Sequence, residues 1–328
     1  METLEGAELC FPELLNTSCR KKVRPHSEAM LFYILMSCVS VLTVALNVLV
    51  IISISHFRQR HTPTNLLLLS LAVSDLLAGL LLPVEVLFAE ACWLFGDLVC
   101  TLSFFVVFSV ISVSVGNMVL ISIDRYVAIC YPLHYPTKMT QTRVRIYVCL
   151  CWICALVYSS LILKDHLKQP GMFHSCVGEC VVVLNYIAGT VDLVFNFIVP
   201  ITVIVVLYMR VFVVAVSQAR AMRSQTVAVT HQRPGTVTAK KSEMKAAGTL
   251  GVVILVFLLC VCPFYGFILA GENVVSDSSV DFFTFLFYLN SCLNPVIYAF
   301  FYPWFRKSVK LIVTLQILQP GSREANLQ

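Results

Sequence analysis

The sequence predicts an all-α membrane protein built as a bundle of seven transmembrane helices. Of its 328 residues, 59% are hydrophobic and only 12% are charged, whereas soluble globular proteins carry about 25% charged residues. The apolar residues also fall into long blocks, and seven blocks reach the length that a helix needs to cross a bilayer. Together these two observations exclude a soluble globule, a disordered chain and a nucleic-acid-binding module.

Five of the seven blocks contain no Asp, Glu, Lys or Arg, and the other two carry isolated acids. The charge-free blocks are residues 29 to 55, 101 to 123, 146 to 163, 246 to 271 and 282 to 305. The acid-bearing blocks are residues 65 to 89 and 181 to 209. The first block is too long, and begins too far from Met1, for a signal peptide, so we interpret it as a retained span.

The basic residues predict that the N-terminus lies outside the cell. In that orientation only six of the 23 Lys and Arg residues face outward and 17 face the cytoplasm, in line with the positive-inside rule. An Asn-x-Ser glycosylation motif at Asn16 agrees with this orientation. The expected domains are an extracellular arm (1–28), a seven-helix domain (29–302) and an amphipathic helix with a cytoplasmic tail (303–328).

Acidic side chains inside the spans mark candidate functional sites, because a charge near the bilayer centre costs at least about 2.5 kcal/mol. Asp75 lies in the middle of the second block and Asp192 in the fifth. With Asn290 and Asn294 as neutral partners, Asp75 predicts an ion or water site, a polar contact that packs the bundle, or both. A sodium ion near Asp75 is the only cofactor expected, and no metal-binding spacing with histidine partners is present.

The seven blocks also carry an ordered set of markers. Asp124-Arg125-Tyr126 ends the third block, and Asn294-Pro295-Val296-Ile297-Tyr298 lies in the seventh. The remaining blocks carry Asn47, Asp75, Trp152, Pro200 and Pro263. This set resembles the rhodopsin-like G-protein-coupled receptors. More narrowly, the chain resembles the trace amine-associated receptors in the segments Asn290 to Tyr298, Tyr302 to Phe305, His61 to Asn65, Tyr135 to Lys138 and Cys176 to Cys180.

The resemblance implies a receptor that opens its inner face to a G protein. Arg125 would pair with Asp124 and reach across to Glu243 at the start of the sixth helix, so that this latch holds the cytoplasmic ends together. An ordinary interfacial ion pair is the alternative interpretation of Arg125. The expected activation switch also includes Tyr126, Tyr208, Phe257, Asn294, Pro295 and Tyr298.

The same resemblance implies two disulfide bonds on the outer side, where the oxidising environment permits them. One joins Cys100 at the outer end of the third helix to Cys180 in the second outer loop. The other joins Cys176 of that loop to the N-terminal arm, which offers Cys10 or Cys19. The sequence does not decide between these two partners.

The expected ligand is an amine that binds to the fifth helix. Receptors for biogenic amines carry an aspartate 18 residues before the arginine of the Asp-Arg-Tyr motif, but Val107 occupies this position here. Asp192 lies eight residues before Pro200, and this loss and gain resembles the branch of trace amine-associated receptors expanded in fish. Aromatic residues would surround the ammonium group through cation-π contacts. The expected ligand-binding residues are Asp192, Val107, Phe108, Phe264, Tyr265, Phe287 and Tyr288, with Glu85 as a second acid for diamines.

One departure from the family pattern concerns the sixth helix. Val261 stands two residues before Pro263, where the family usually carries a tryptophan. Activation would then depend on Phe257 and Tyr265.

The expected function is that of an amine-sensing olfactory receptor in the plasma membrane of sensory cilia. Its expected partners are an amine, a stimulatory G protein that raises cAMP, and membrane lipid. No nucleic acid is expected to bind. The alternative is a receptor for a non-amine odorant, because the third-helix anchor is missing. A transporter is disfavoured because internal repeats and interrupted helices are absent, and an enzyme because no catalytic constellation is present.

Overall fold

The structure, a computed structural model, describes residues 8–14, 16–20, 26–89, 92–228, 234–270 and 277–324. Apart from two isolated β-bridges, the regular structure in these ranges is helical. Helices α1 to α11 cover, in chain order, His26–His56, Pro63–Ala89, Gly96–Cys130, Tyr135–Lys138, Gln141–Ile162, Lys164–Lys168, Tyr186–Asp192, Val199–Ala228, Pro234–Ala270, Asp277–Phe301 and Pro303–Val313.

Within the described residues, seven helical segments are long and apolar enough to cross a membrane, which confirms the predicted fold class. Helices α1, α2, α3, α5, α9 and α10 provide one span each, and the fifth span joins α7 to α8 through a π-helical turn at Leu193–Ile198. The fifth helix begins at Tyr186, later than the apolar block that starts at residue 181. Asn185 sets this start, because its side chain accepts a hydrogen bond from the Ala188 N–H at 2.8 Å and caps the helix.

Buried polar residues lie within the mostly apolar interior of the bundle, and large apolar side chains are exposed on its outside. Asn47, Asp75 and Asn117 are fully buried. In contrast, Val41 is 67% exposed and Leu259 is 60% exposed. An exposed apolar surface of this kind is favourable in lipid and costly in water.

Hydrogen bonds between helices fix the arrangement of the spans. The Asn47 side chain in α1 donates to the carbonyl of Ser291 in α10 at 3.1 Å. The Trp152 indole N–H in α5 donates to the Ser70 hydroxyl in α2 at 3.1 Å. Such contacts stabilise membrane helices because the alternative is an unsatisfied polar group in hydrocarbon. They explain why two of the marker residues recognised in the sequence face the interior.

Helix α11 follows the last span directly. Phe305 and Ser308 face the bundle and are buried, whereas Arg306, Lys307 and Lys310 are exposed, which is the amphipathic pattern expected. The helix is shorter than the apolar run that extends from Trp304 to Leu318. The helix stops at Val313, and Leu315 adopts a left-handed conformation with φ of 57°, which an α-helix does not tolerate.

Three disulfide bonds bind the N-terminal arm and the second outer loop to the bundle. Cys100 in α3 is joined to Cys180, and Cys19 is the arm residue that is joined to Cys176. The third bond, between Cys10 and Cys92, was not expected from the sequence. It connects the arm to the loop between α2 and α3. The arm is therefore attached to the outer face at two points, Cys10 and Cys19.

We expect this third bond to stabilise the outer face without being essential for folding of the bundle. Replacing both Cys10 and Cys92 by serine should lower the free energy of unfolding by about 2–5 kcal/mol, because the bond closes a long loop in the unfolded chain. Thermal unfolding of the purified protein measures the loss. Peptide mapping without reduction provides the control. Recovery of a Cys10–Cys176 peptide from the native protein would contradict the arrangement.

Candidate functional site

A cavity of about 720 Å³ lies at the outer side of the bundle, between α3, α7, α9 and α10. The residues predicted to bind ligand all line this cavity, except Glu85, whose side chain is not among those described. They are Val107, Phe108, Asp192, Phe264, Tyr265, Phe287 and Tyr288. Residues from four helices, far apart in sequence, therefore face one space.

Asp192 is the carboxylate in the described lining of this cavity. Its Oδ1 atom accepts a hydrogen bond from the Tyr158 hydroxyl at 2.6 Å and a second from the Asn196 side chain at 2.8 Å. No described residue donates to Oδ2. The two bonds fix the orientation of the carboxylate and leave one oxygen for a cation in the cavity.

Sequence reasoning missed both of these partners. Asn196 lies four residues after Asp192, and this spacing places two side chains on the same face of a helix. The hydrogen bond between them could therefore have been predicted from the sequence. Tyr158 belongs to α5, and no spacing in the sequence connects it with Asp192. Only the packing of α5 against the fifth span brings the phenol to the carboxylate.

The backbone below Asp192 widens into a π-helical turn. The Val199 N–H donates to the carbonyl of Val194, five residues earlier, instead of four. Pro200 follows immediately and has no N–H to continue the regular pattern. The extra residue in a π-turn rotates the preceding helix about its axis. Here it changes the direction in which the Asp192 side chain points relative to the side chains of α8.

Much of the cavity wall contributed by α9 and α10 is aromatic. Phe264 lies 4.9 Å from Phe287 between ring centroids, and Phe287 lies 5.7 Å from Tyr288. Tyr265 stacks on Phe197 at 4.5 Å with an interplanar angle of 14°. The negative faces of such rings attract a cation, and their area suits an apolar ligand body.

The remaining acids on the outer side have a less defined place. Glu85 lies in α2, but its side chain falls outside the described residues, as do Glu90 and Glu272. Oδ1 of Asp97 lies 3.2 Å from Nδ1 of the His174 ring, within hydrogen-bond distance. Burial opposes the charge on Glu179, but hydrogen bonds from the backbone and hydroxyl of Ser175 lower the pKa of this carboxyl below its ordinary value.

Asn16 lies on the exposed turn of the arm. It borders a second outer cavity of about 520 Å³, which Trp93, Asp97 and His174 also line. This accessible position suits the glycosylation predicted from the motif.

The second outer loop enters the cavity wall next to a histidine. The Val183 N–H donates to Nε2 of His166 at 3.2 Å, and the next residues, Leu184 and Tyr186, line the cavity. The His166 ring is buried and packs against Phe173 at 4.6 Å between centroids. Because Nε2 accepts this bond, the ring is neutral and carries its proton on Nδ1.

We expect the stability of the outer face to fall at acidic pH. Burial lowers the pKa of His166 below its ordinary value of 6.5, with nearby Asp165 opposing and His174 reinforcing the shift. Stability contributed by the neutral ring is complete above pH 6.5 and is lost as the pH falls toward the lower folded-state pKa. Melting temperatures across this range measure it. His166→Gln keeps an acceptor but does not titrate, so equal pH slopes for both proteins would contradict this expectation.

A group of buried polar residues lies further inside the bundle. The Asn294 side chain donates to Oδ2 of Asp75 at 2.9 Å. Asp75 Oδ1, Asn290 Oδ1 and Asn294 Oδ1 are buried and have no described hydrogen-bond donor. Three oxygen acceptors without donors fit a hard cation or ordered water. Elsewhere in the described chain, no cluster of His, Cys, Asp and Glu residues suits a metal ion.

At the inner end of α3, Asp124 and Arg125 form a buried ion pair. Arg125 Nε donates to Asp124 Oδ2 at 3.0 Å. The Thr64 hydroxyl of α2 donates to the same oxygen at 2.9 Å, and the Tyr135 hydroxyl of α4 donates to Oδ1 at 2.9 Å. Burial, followed by the charge of Asp124, raises the pKa of Tyr135 to about 12. The phenol therefore remains a donor at physiological pH.

The network contains the Arg125–Asp124 pair that the expected latch includes. Glu243 lies in α9, and its side chain is outside the described residues, so its contact with Arg125 stays a prediction. The described contacts also join α3 to α2 and α4. The hydroxyls of Tyr208 and Tyr298 are buried and lack a partner among the described residues. Both hydroxyls are therefore available to a rearranged network.

Comparison with known proteins agrees with the fold. Residues 46–298 match the family model of the 7 transmembrane receptor (rhodopsin family). The chain is 36% identical to trace amine-associated receptor 13c of Danio rerio over 98% of this chain and 97% of that protein. It is 35% identical to trace amine-associated receptor 4 of Mus musculus over 98% of this chain and 95% of the relative. The chain therefore belongs to the trace amine-associated receptors of the rhodopsin family.

Proposed function

We propose that this receptor senses a protonated amine whose ammonium group pairs with Asp192. Membership of the family makes the chain a multi-pass plasma-membrane receptor with a small-molecule ligand and a G-protein partner, not an enzyme. The observation that carries the finer proposal is the orientation of Asp192. Oδ1 is held by Tyr158 and Asn196, and Oδ2 has no donor among the described residues.

The energetics of the cavity support an amine over a neutral ligand. A carboxylate in this apolar surrounding is costly unless a cation and hydrogen bonds compensate for lost hydration. An ammonium group supplies both a charge and donors, while the aromatic wall of Phe264, Phe287 and Tyr288 accommodates the ligand body. Glu85 is proposed as a second acid for diamines, and a sodium ion or water is proposed for the site at Asp75, Asn290 and Asn294.

Activation is proposed to open the network at Arg125. A shift of the fifth and sixth spans at the cavity would move α8 and α9 at the inner face. Arg125 would then leave Asp124, and the hydroxyls of Tyr208 and Tyr298 would gain partners. A stimulatory G protein is proposed to dock at the opened face, and the setting is proposed to be olfactory sensory cilia.

A ligand panel in transfected cells tests this function. Monoamines, diamines and polyamines would be compared with alcohols of the same carbon skeleton at neutral pH, with biosensors for each class of Gα subunit. We expect amines, but not matched alcohols, to raise cAMP. A response to the alcohols that equals the response to the amines would contradict the proposal and favour a receptor for a non-amine odorant.

A further inference from the structure

A small cavity of about 30 Å³, distinct from the two outer cavities, lies directly beneath the ligand cavity. The two cavities share Val107, Ile111, Phe287 and Tyr288 in their linings. We call the lower one the deep cavity. At about 10–15 Å³ for a single water, this volume holds about two or three water molecules.

The order of the lining residues shows that the deep cavity extends toward the cytoplasm. Along α3, the lining continues from the shared Ile111 to Val115, and along α10 from the shared Tyr288 to Ser291. In α9, Tyr265 belongs to the upper cavity, whereas Val261, one turn further inward, belongs to the deep cavity. All three helices therefore descend from one cavity into the other.

The walls of the deep cavity are mainly aliphatic and aromatic. Val261 is 2% exposed and lies between Tyr265 and Phe257, one helical turn from each. A branched three-carbon side chain at this position leaves space that a larger one would fill. Three polar residues also line the deep cavity, namely Ser114, Asn290 and Ser291. The Ser114 hydroxyl donates to Ser74 at 3.0 Å, and Asn290 also belongs to the buried polar group around Asp75.

We propose that the deep cavity is a subsite for the apolar tail of the amine and that Val261 sets the tail length. This inference rests on the proposed function, because an ammonium at Asp192 directs the rest of the ligand into the shared lining. Among the amines proposed above, the subsite then favours monoamines with an unbranched alkyl or arylalkyl tail over diamines. Each methylene that enters the subsite should raise affinity about fourfold.

The test is a homologous series of primary alkylamines from ethylamine to octylamine. Affinity is measured by thermal stabilisation of the purified receptor, which requires no G protein. For the wild type, we expect affinity to rise with chain length until the tail fills the subsite. Val261→Trp should leave the shortest amines unchanged and weaken the longer ones by about tenfold or more. Val261→Ala should extend the rise to longer chains.

Leu259→Trp is the matched control, because it adds the same side chain to the same helix on the exposed outer face. It should not change the chain-length profile. Equal shifts for all chain lengths in the Val261 variants would assign Val261 to the activation switch and overturn the subsite. An unchanged profile in Val261→Ala would overturn it as well. If no amine stabilises any protein, the proposed function fails, and the inference fails with it.

Discussion

Asp192→Asn is expected to reduce the potency of amine agonists by at least about thirtyfold. Removing one partner of a desolvated charge pair typically costs about 2–5 kcal/mol, and 1.4 kcal/mol corresponds to a factor of ten. Asparagine has nearly the same shape and can still accept the hydrogen bonds from Tyr158 and Asn196, so the cavity should keep its form. Concentration–response curves, normalised to surface expression, measure the effect.

Two further variants make this result specific to the charge in the cavity. Asp192→Glu keeps the charge but moves it, and should lose less potency than Asp192→Asn. Glu179→Gln removes a carboxylate of the outer loop that is bonded to Ser175, and should have little effect. A response that survives Asp192→Asn but disappears on Glu85→Gln would move the amine to the second helix.

Arg125→Ala is expected to lower the maximal G-protein response by at least about tenfold, a typical size for coupling between two sites. The guanidinium is buried and is the charged partner of Asp124. Without this guanidinium, no positive charge can turn from Asp124 toward the G protein. Asp124 then retains the hydrogen bonds from Tyr135 and Thr64. Biosensor responses at saturating agonist, with surface expression measured in parallel, give the loss.

Arg145→Ala is the control for this second prediction. Arg145 is an exposed arginine on α5 and does not belong to the network of Asp124. Its replacement should leave the response close to that of the wild type. Full signalling by an Arg125→Ala receptor that reaches the surface would contradict the proposed latch.

Much of the fold could be predicted because lipid imposes simple rules on a sequence. Apolar blocks of the length of a bilayer gave the seven spans, and the lopsided basic residues predicted the orientation. Helix ends were predicted less well, because they depend on local contacts. The cap at Asn185 and the left-handed Leu315 are examples, since neither alters the hydropathy of its segment.

The candidate site shows the same division. Asp192 stood out because an acid in an apolar block needs a reason, and the aromatic residues stood out through the family pattern. Tyr158 and the bond between Cys10 and Cys92 did not, since they depend on which loops and helices meet in space. In the inner network, Thr64 and Tyr135 are further partners of Asp124 that the sequence did not predict, because they lie in segments recognised only as family markers.

A cryo-electron-microscopy structure of the receptor with its most potent amine would show where the ligand ammonium binds. We expect the amine nitrogen within about 3 Å of Asp192 Oδ2, a normal charge-assisted hydrogen-bond distance. The ligand body should lie against Phe287 and Tyr288. A nitrogen bound at Glu85, or at Asp97 and Glu179 on the outer rim, would show that Asp192 is not the ammonium partner.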